Sequence, residues 1–107
     1  TRKDSFDVDM VIVAVGIEPN SELAVQAGLE LGPYRSIAVD KALHTSDRDI
    51  FAAGDCADAF HVITNKRVWI PLALRANRAG WAVADNLLED TIELPGVMGT
   101  SVFKVLD

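Results

Sequence analysis

The sequence predicts an α/β fold, and three features of the chain point to it. Val8 to Gly16 is a near-continuous run of β-branched and small apolar residues, typical of a strand buried on both faces. From Pro71 to about Glu89, apolar residues recur at steps of three and four, which predicts one long helix near the C-terminal end. Its predicted apolar face consists of Leu72, Ala76, Ala79, Val83 and Leu87. Short segments with turn signals between them separate these two elements.

A short helix and a strand are expected after the first run. Ser21 can cap a helix that Gly28 is placed to end. Ser36 to Asp40 follows a Gly-Pro turn signal and alternates polar and apolar residues, which predicts one strand of an antiparallel pair.

A further strand and a hairpin are predicted before the long helix, and one strand is predicted after it. Asp49 to Ala53 has the character of a buried strand that stops at Gly54-Asp55. The segment that follows resembles a hairpin with Asn65-Lys66 near its tip. Alternation in the tail predicts a last strand over Val102 to Leu106.

Composition excludes several classes of function. The chain has 107 residues, with 10 basic and 16 acidic side chains and a net charge of −6, which argues against nucleic acid or an anionic membrane as partner. No apolar run approaches the length that spans a bilayer. A single cysteine, Cys56, excludes an intramolecular disulfide, and no Cys/His cluster has zinc-site spacing. A cytoplasmic protein without a metal site is expected.

The Gly54-Asp55 pair is the first candidate for a binding site. A strand that ends in this pair places a carboxylate at the edge of the sheet where ligands of α/β proteins tend to lie. Glycine allows close approach of a ligand, and the carboxylate can accept a hydrogen bond from a sugar or polyol hydroxyl. On these residues alone, a simple turn is the commoner interpretation.

Four longer strings resemble a known family. TSDRDIFAAGDCAD, residues 45–58, resembles the second FAD-binding motif of the pyridine nucleotide-disulfide oxidoreductases. DMVIVAVGIEPN, residues 9–20, is similar to the family's crossover between its NAD(P) and FAD domains. WIPLALRANRAGWAVADNL, residues 69–87, resembles its flavin-facing helix, and PGVMGTSVFKVLD, residues 95–107, resembles the start of its dimerisation domain. The strings occur in the family's order and cover most of the chain.

The resemblance implies part of an FAD/NAD(P)-binding three-layer domain, with a mixed sheet, short hairpin strands and one long C-terminal helix. Residues 1–20 would end the NAD(P)-binding domain and form the crossover. Residues 21–93 would be the C-terminal part of the FAD-binding domain, and residues 94–107 would begin the dimerisation domain. We therefore interpret the chain as an excised piece of a longer protein.

The resemblance also implies a set of flavin contacts. Asp55 would bind the ribityl chain, and Gly54 would lie against the pyrophosphate side. Leu72 and Ala73 would offer backbone N–H groups to the pyrimidine side of the flavin, where the reduced form carries negative charge. Cys56 is interpreted as a structural thiol, and no catalytic residue or metal ligand is predicted.

The implied function is that of a fragment of an FAD-dependent NAD(P)H oxidoreductase acting on a disulfide, persulfide or oxygen acceptor. The strings point to the branch that includes coenzyme A-disulfide reductases, NADH oxidases and persulfide reductases. Its partners would be the rest of the parent chain and a small-molecule acceptor, in a parent homodimer. With no GxGxxG motif, the isolated chain is expected to be inactive and not to retain FAD.

Two alternatives stay open at this point. The chain could be an autonomous, non-enzymatic interaction module derived from a flavoprotein. It could also belong to a ferredoxin-reductase-type flavoprotein, which shares the GDCA string but fits the helix and tail strings less well. Trp69, Trp81, Arg75 and Arg78 are interpreted as packed, solvated or paired residues, without a catalytic role.

Overall fold

The computed structural model describes residues 4–89 and 91–105 of the chain. Helix α1 spans Glu22–Gln26, strand β1 Ala59–Phe60, strand β2 Arg67–Val68 and helix α2 Ala73–Glu89. A tight turn at Pro33–Arg35 lies between α1 and β1. The predicted long helix near the C-terminal end is confirmed as α2, the longest of these elements.

The predicted short helix between Ser21 and Gly28 is confirmed as α1. Ser21 precedes it, but the predicted cap is wrong, because the Ser21 side chain makes no capping hydrogen bond. Gly28 follows α1 with a φ of +73°, a conformation that glycine adopts without steric cost. Its amide donates to the Val25 carbonyl oxygen at 3.0 Å, which closes the helix.

Strands β1 and β2 form the predicted hairpin. They pair antiparallel, with Ala59 opposite Val68 and Phe60 opposite Arg67. Asn65 lies in the turn between them with a φ of +50°, which asparagine tolerates better than most residues.

The predictions of strands at residues 36–40 and 49–53 are wrong, because these segments form only isolated β-bridges, at Ile37 and Phe51. Ile37 pairs antiparallel with Leu31 and parallel with Ala57, while Phe51 pairs antiparallel with His44. The ladder does not continue beyond Ile37 because the Val39 amide donates to the Asp58 carboxylate instead of a backbone carbonyl. Parallel and antiparallel pairing are both present, but each pairing is an isolated bridge between two residues rather than a continuous ladder.

The core lies between α2 and the bridged segments. Val39, Leu43, Ala52, Ala57, Ala79 and Ala82 form its buried cluster. The predicted apolar face of α2 is correct at Ala79, which is fully buried, but wrong at Leu87, which is 66% exposed. The preceding residue, Asn86, is buried instead of Leu87. Its burial is tolerated because its side-chain amide donates to the carbonyl oxygens of Ala42 and Ile92, both at 2.8 Å.

The predicted buried strand at Val8 to Gly16 is wrong for this structure. The segment has no strand partner in the described part of the chain, and Val11, Ile12 and Val15 are 74%, 82% and 91% exposed. A strand forms only where a neighbour accepts its backbone hydrogen bonds. The predicted tail strand is likewise absent from residues 102–105, and Leu106 lies outside the described residues.

No helix in the described ranges is long and apolar enough to cross a membrane. The fold thus consists of one long helix, α2, packed on an irregular bridged layer, with the β1–β2 hairpin beside it. The Gly54-Asp55 turn leads into this hairpin and lies next to the first turn of α2. The candidate site therefore lies where the Gly54-Asp55 turn meets the start of α2.

Candidate functional site

The Gly54-Asp55 turn presents a carboxylate to solvent. Gly54 has a φ of +92°, which L side chains rarely adopt, and a Cβ built on it would meet no atom within 4 Å. Glycine is therefore required here by backbone conformation, with open space beside it. The Ala57 amide donates to the Gly54 carbonyl oxygen at 3.3 Å and closes the turn. Asp55, at the tip, is exposed.

The start of α2 presents the first backbone amides of the helix, which have no acceptor within the helix itself. Helix α2 begins at Ala73, and the Ala76 amide donates to the Leu72 carbonyl oxygen at 2.9 Å. The amides before Ala76 lack an intrahelical acceptor, because an α-helix leaves its first N–H groups free. Ala73 is exposed, and Leu74 is 65% exposed. The positive end of the helix dipole at this exposed terminus favours a negatively charged group.

Arg75 joins these two features. Its guanidinium Nη1 donates to the carbonyl oxygens of Gly54 and Ala57, each at 3.1 Å. Its Nη2 donates to the carbonyl oxygen of Asp58. One side chain in the first turn of α2 therefore binds three carbonyls of the Gly54–Asp58 turn. The sequence-predicted residues Gly54, Asp55, Leu72 and Ala73 are thereby brought to one side of the molecule.

Two neighbouring carboxylates influence the charge of Arg75. Burial lowers the pKa of the Arg75 guanidinium, while the neighbouring charges of Asp58 and Asp55 act to raise it. Arginine remains protonated in proteins at neutral pH, so the group stays a cation. The exposed carboxylate of Asp55 thus lies within the electrostatic reach of a cation in the first turn of α2.

Asp58 fixes the far end of the same turn from inside the protein. Its carboxylate is fully buried and accepts hydrogen bonds from the Val39 amide at 3.0 Å and from Arg67 Nη1 at 2.8 and 3.0 Å. Arg67 Nη1 also donates to the Val39 carbonyl oxygen at 2.9 Å. The guanidinium lies 5.0 Å from the centre of the Phe60 ring. A buried charge is thereby neutralised and hydrogen-bonded, as burial requires.

Trp69 contacts the turn from a third direction. Its indole Nε1 donates to the Asp55 carbonyl oxygen at 2.7 Å, and its ring centre lies 5.8 Å from that of Tyr34. The backbone of Asp55 is therefore held by a hydrogen bond, while the residue is exposed to solvent. The half-buried Cys56 thiol donates to the Ala53 carbonyl oxygen at 3.3 Å.

The residues that hold the turn could not be predicted from the sequence. Arg75 was expected to be solvated or paired, and it is paired, but with backbone carbonyls that no spacing rule predicts. The Asp58–Arg67 pair was not predicted at all. One signal for it was available: Asp58 is an acidic residue between Ala57 and Ala59, in a stretch otherwise suited to burial.

The residues present fit the flavin contacts that the resemblance implies. The exposed Asp55 carboxylate can accept a hydrogen bond from a polyol hydroxyl, and the space beside Gly54 leaves its backbone open to a ligand. The free amides at Ala73 suit a ring system that carries negative charge. In the described ranges, no three His, Cys, Asp or Glu side chains are grouped to hold a metal ion.

Comparison with known proteins decides the family. The family model of the pyridine nucleotide-disulphide oxidoreductases matches residues 1–80. The chain belongs to the pyridine nucleotide-disulphide oxidoreductase family. Among curated relatives of this family, the CoA-dependent NAD(P)H sulfur oxidoreductase of Pyrococcus furiosus is 46% identical over 107 residues, which is 100% of this chain and 24% of that protein.

Solved structures of related oxidoreductases share the fold. An NAD-dependent persulfide reductase from A. fulgidus matches with a TM-score of 0.89 and 41% identity, covering 95% of this chain and 19% of that one. A water-forming NADH oxidase from Lactobacillus brevis, bound to NADH, matches with a TM-score of 0.87 and 33% identity, covering 96% and 23%. The predicted α/β fold and the predicted branch of the family are confirmed. The chain spans about a quarter of the length of the curated relatives it matches.

Proposed function

We propose that this chain is part of an FAD-dependent NAD(P)H oxidoreductase that acts on a disulfide, persulfide or oxygen acceptor. Family membership supports the redox chemistry, and the names of the relatives support the range of acceptors. Since the chain spans about a quarter of those relatives, it would contribute contacts to the cofactor rather than a complete active centre.

In this proposal, the Gly54-Asp55 turn binds the ribityl part of FAD. The Asp55 carboxylate accepts a hydrogen bond from a ribityl hydroxyl, and Gly54 keeps the backbone open on the pyrophosphate side. Asp55 has the freedom to do this because its carboxylate is exposed while its carbonyl oxygen is held by Trp69.

The start of α2 acts on the pyrimidine side of the flavin. The amides of Leu72 and Ala73 donate hydrogen bonds there, and the positive end of the helix dipole favours negative charge on the ring. The flavin, when bound, supplies the hydride and electron transfer between NAD(P)H and the acceptor. The chain's own residues bind and orient it.

The organisation of the whole protein is part of the same proposal. Residues 1–20 belong to the end of an NAD(P)-binding domain and its crossover, residues 21–93 to the FAD-binding domain, and residues 94–107 to a dimerisation domain. The parent protein would be a homodimer in the cytoplasm, a location supported by its single cysteine in this stretch. Cys56 is a structural thiol in this scheme.

One observation carries the proposal: Arg75 holds the Asp55 turn beside the exposed start of α2. We test it in the full protein that contains this chain, by titrating the apoprotein with FAD and following flavin absorbance. Asp55→Ala should weaken FAD binding about 10-fold or more, because hydrogen bonds to a charged group contribute about 1.5 to 3 kcal/mol.

Asp85→Ala is the matched control, because Asp85 is an exposed aspartate on α2, far along the helix from Ala73. It should bind FAD as tightly as the unmodified protein does. Equal FAD affinity in Asp55→Ala and the unmodified protein would contradict the proposed role of the turn.

A further inference from the structure

Arg75 makes an unusual set of contacts for an arginine in the first turn of a helix. All three of its acceptors are backbone carbonyl oxygens, those of Gly54, Ala57 and Asp58. These acceptors are 17 to 21 residues away along the chain. Because backbone oxygens move only with the chain itself, the guanidinium fixes the path of the turn rather than one side chain.

We propose that Arg75 is a positioning residue of the flavin site: it fixes the Gly54–Asp58 turn against the start of α2, so that the Asp55 carboxylate and the helix amides keep one separation. This inference rests on the proposed function and deepens it. An extended ligand such as FAD would contact both the Asp55 carboxylate and the amides at the start of α2. The distance between these two groups must therefore be fixed for the ligand to bind both.

The other contacts of the Gly54–Asp58 turn leave Arg75 as the residue that links it to α2 by hydrogen bonds. Asp58, at one end, is locked to Val39 and Arg67 inside the protein. Trp69 holds the Asp55 carbonyl oxygen from outside. Among the described hydrogen bonds of the turn, those of Arg75 are the ones that connect it to α2. Ala57 also lies in the same buried cluster as Ala79 and Ala82 of α2, so loss of the Arg75 hydrogen bonds loosens the exposed Gly54-Asp55 part of the turn while this packing and the other anchors remain.

The chemistry of the side chain also matters. Arginine carries a planar fork of donors that can reach several acceptors at once, whereas lysine is a compact point charge on a flexible stem. A lysine at this position keeps the positive charge near Asp55 but cannot span three carbonyls in the same geometry. The two substitutions therefore separate positioning from simple charge.

The test uses the full protein that contains this chain, as apoprotein, with Arg75→Gln and Arg75→Lys and the control Arg78→Gln. Arg78 is an exposed arginine one turn further along α2, which matches Arg75 in type and element but not in contacts. Two quantities are measured: the dissociation constant of FAD, and the ¹⁹F resonance of 5-fluorotryptophan at Trp69, assigned by Trp69→Phe. The resonance reports on the turn without any flavin bound.

We expect Arg75→Gln to weaken FAD binding about 10-fold or more, because the turn is then no longer fixed at the separation from the helix amides that the bound flavin spans. It should also shift the Trp69 resonance, since the indole is bonded to the Asp55 backbone. Arg75→Lys should weaken binding by a smaller factor and shift the resonance in the same direction. Arg78→Gln should change neither quantity.

Several outcomes would overturn the positioning role. One is unmodified FAD affinity in Arg75→Gln, even if its unfolding temperature falls, because that result assigns Arg75 to stability alone. Full affinity in Arg75→Lys would assign the effect to charge. If Arg75→Gln does not fold, Arg75→Lys with its Trp69 resonance decides. If FAD binding is weakened in Asp55→Ala but not in the Arg75 variants, only the positioning role of Arg75 is contradicted. If FAD binding is unchanged in Asp55→Ala, the proposed function of the turn is contradicted.

Discussion

At the scale of single residues, the Asp58–Arg67 pair shows how a charge is kept inside this small core. The Asp58 carboxylate is fully buried, whereas the Arg67 side chain is 36% exposed. The carboxylate accepts hydrogen bonds from both Arg67 and the Val39 amide, so its desolvation is compensated on both oxygens. The pair also fixes the end of the turn that carries Asp55.

Arg67→Met should therefore lower the free energy of unfolding by about 2 to 4 kcal/mol, because it leaves a buried carboxylate without its cation. Arg48→Met is the control, since Arg48 forms an ion pair with Asp40 at the surface, with side chains 71% and 45% exposed. We expect a loss of less than about 1 kcal/mol there. Urea unfolding measures both, and equal losses in the two variants would show that burial of Asp58 does not decide the effect.

Cys56 yields a second prediction at this scale. Its thiol is half-buried and donates to the Ala53 carbonyl oxygen, a contact that a serine hydroxyl can also make. Cys56→Ser in the full protein should therefore leave turnover within about twofold of the unmodified rate, since serine keeps both the size and the donor. Loss of turnover with FAD still bound would identify Cys56 as a redox group and contradict its structural role.

At the scale of elements, α2 supplies both a face of the core and the end that we propose contacts the flavin. Its middle carries Ala79 and Ala82 against the bridged layer, and its first turn carries Arg75. Gly80 lies in this helix on the exposed side, and a Cβ built on it meets no atom within 4 Å. The helix therefore contains a residue of low helix propensity that packing does not require.

Gly80→Ala should raise the free energy of unfolding by up to about 1 kcal/mol, because alanine favours the helix over glycine by roughly that amount. Gly32→Ala provides the contrast, since a Cβ at Gly32 would collide with the Asp58 carboxylate. That variant should be destabilised. Thermal unfolding of both variants tests the pair, and a destabilised Gly80→Ala would mean that the helix surface is covered there.

The elements that could be predicted from the sequence are those whose signals are local. Helix α2 follows from its apolar spacing, and the β1–β2 hairpin from turn residues such as Asn65. The segment at Val8 to Gly16 could not be placed in the same way, because strand formation depends on a partner that its own residues do not encode. At residues 36–40, a side chain, Asp58, took the place of the backbone partner.

The residues of the candidate site could likewise be predicted only where a local signal exists. Gly54, Asp55, Leu72 and Ala73 were identified through a resemblance between short strings, which indicates residue types but no contacts. Arg75 and Arg67 act through hydrogen bonds to backbone atoms that are distant in sequence. Such pairings depend on how the segments fold against each other, and no periodicity or motif in this chain specifies them.

At the scale of the whole molecule, the chain combines a small core with extended apolar segments. Its radius of gyration is 17.5 Å, compared with about 13 Å for a compact domain of 100 residues. Phe6, Met10 and Val13 are 80%, 77% and 77% exposed, and Val102 and Phe103 at the other end are 95% and 78% exposed. Apolar surface of this extent favours association.

We therefore expect the 107-residue chain to self-associate at micromolar and higher concentrations, because extended apolar segments with unpaired backbone groups can pair between copies. The net charge of −6 opposes this only modestly. Light scattering over a concentration series measures the mass. Val11→Asp with Val13→Asp should reduce association, and a strictly monomeric mass of the unmodified chain at high concentration would contradict the expectation.

We propose that the Gly54-Asp55 turn and the start of α2 form one side of a flavin site. A crystal structure of the full protein with FAD bound tests it most directly. We expect an Asp55 carboxylate oxygen within about 3 Å of a ribityl hydroxyl, and the Ala73 amide at hydrogen-bond distance from the pyrimidine side of the flavin. An FAD molecule bound with its ribityl chain away from Asp55 and its ring away from the start of α2 would contradict this proposal.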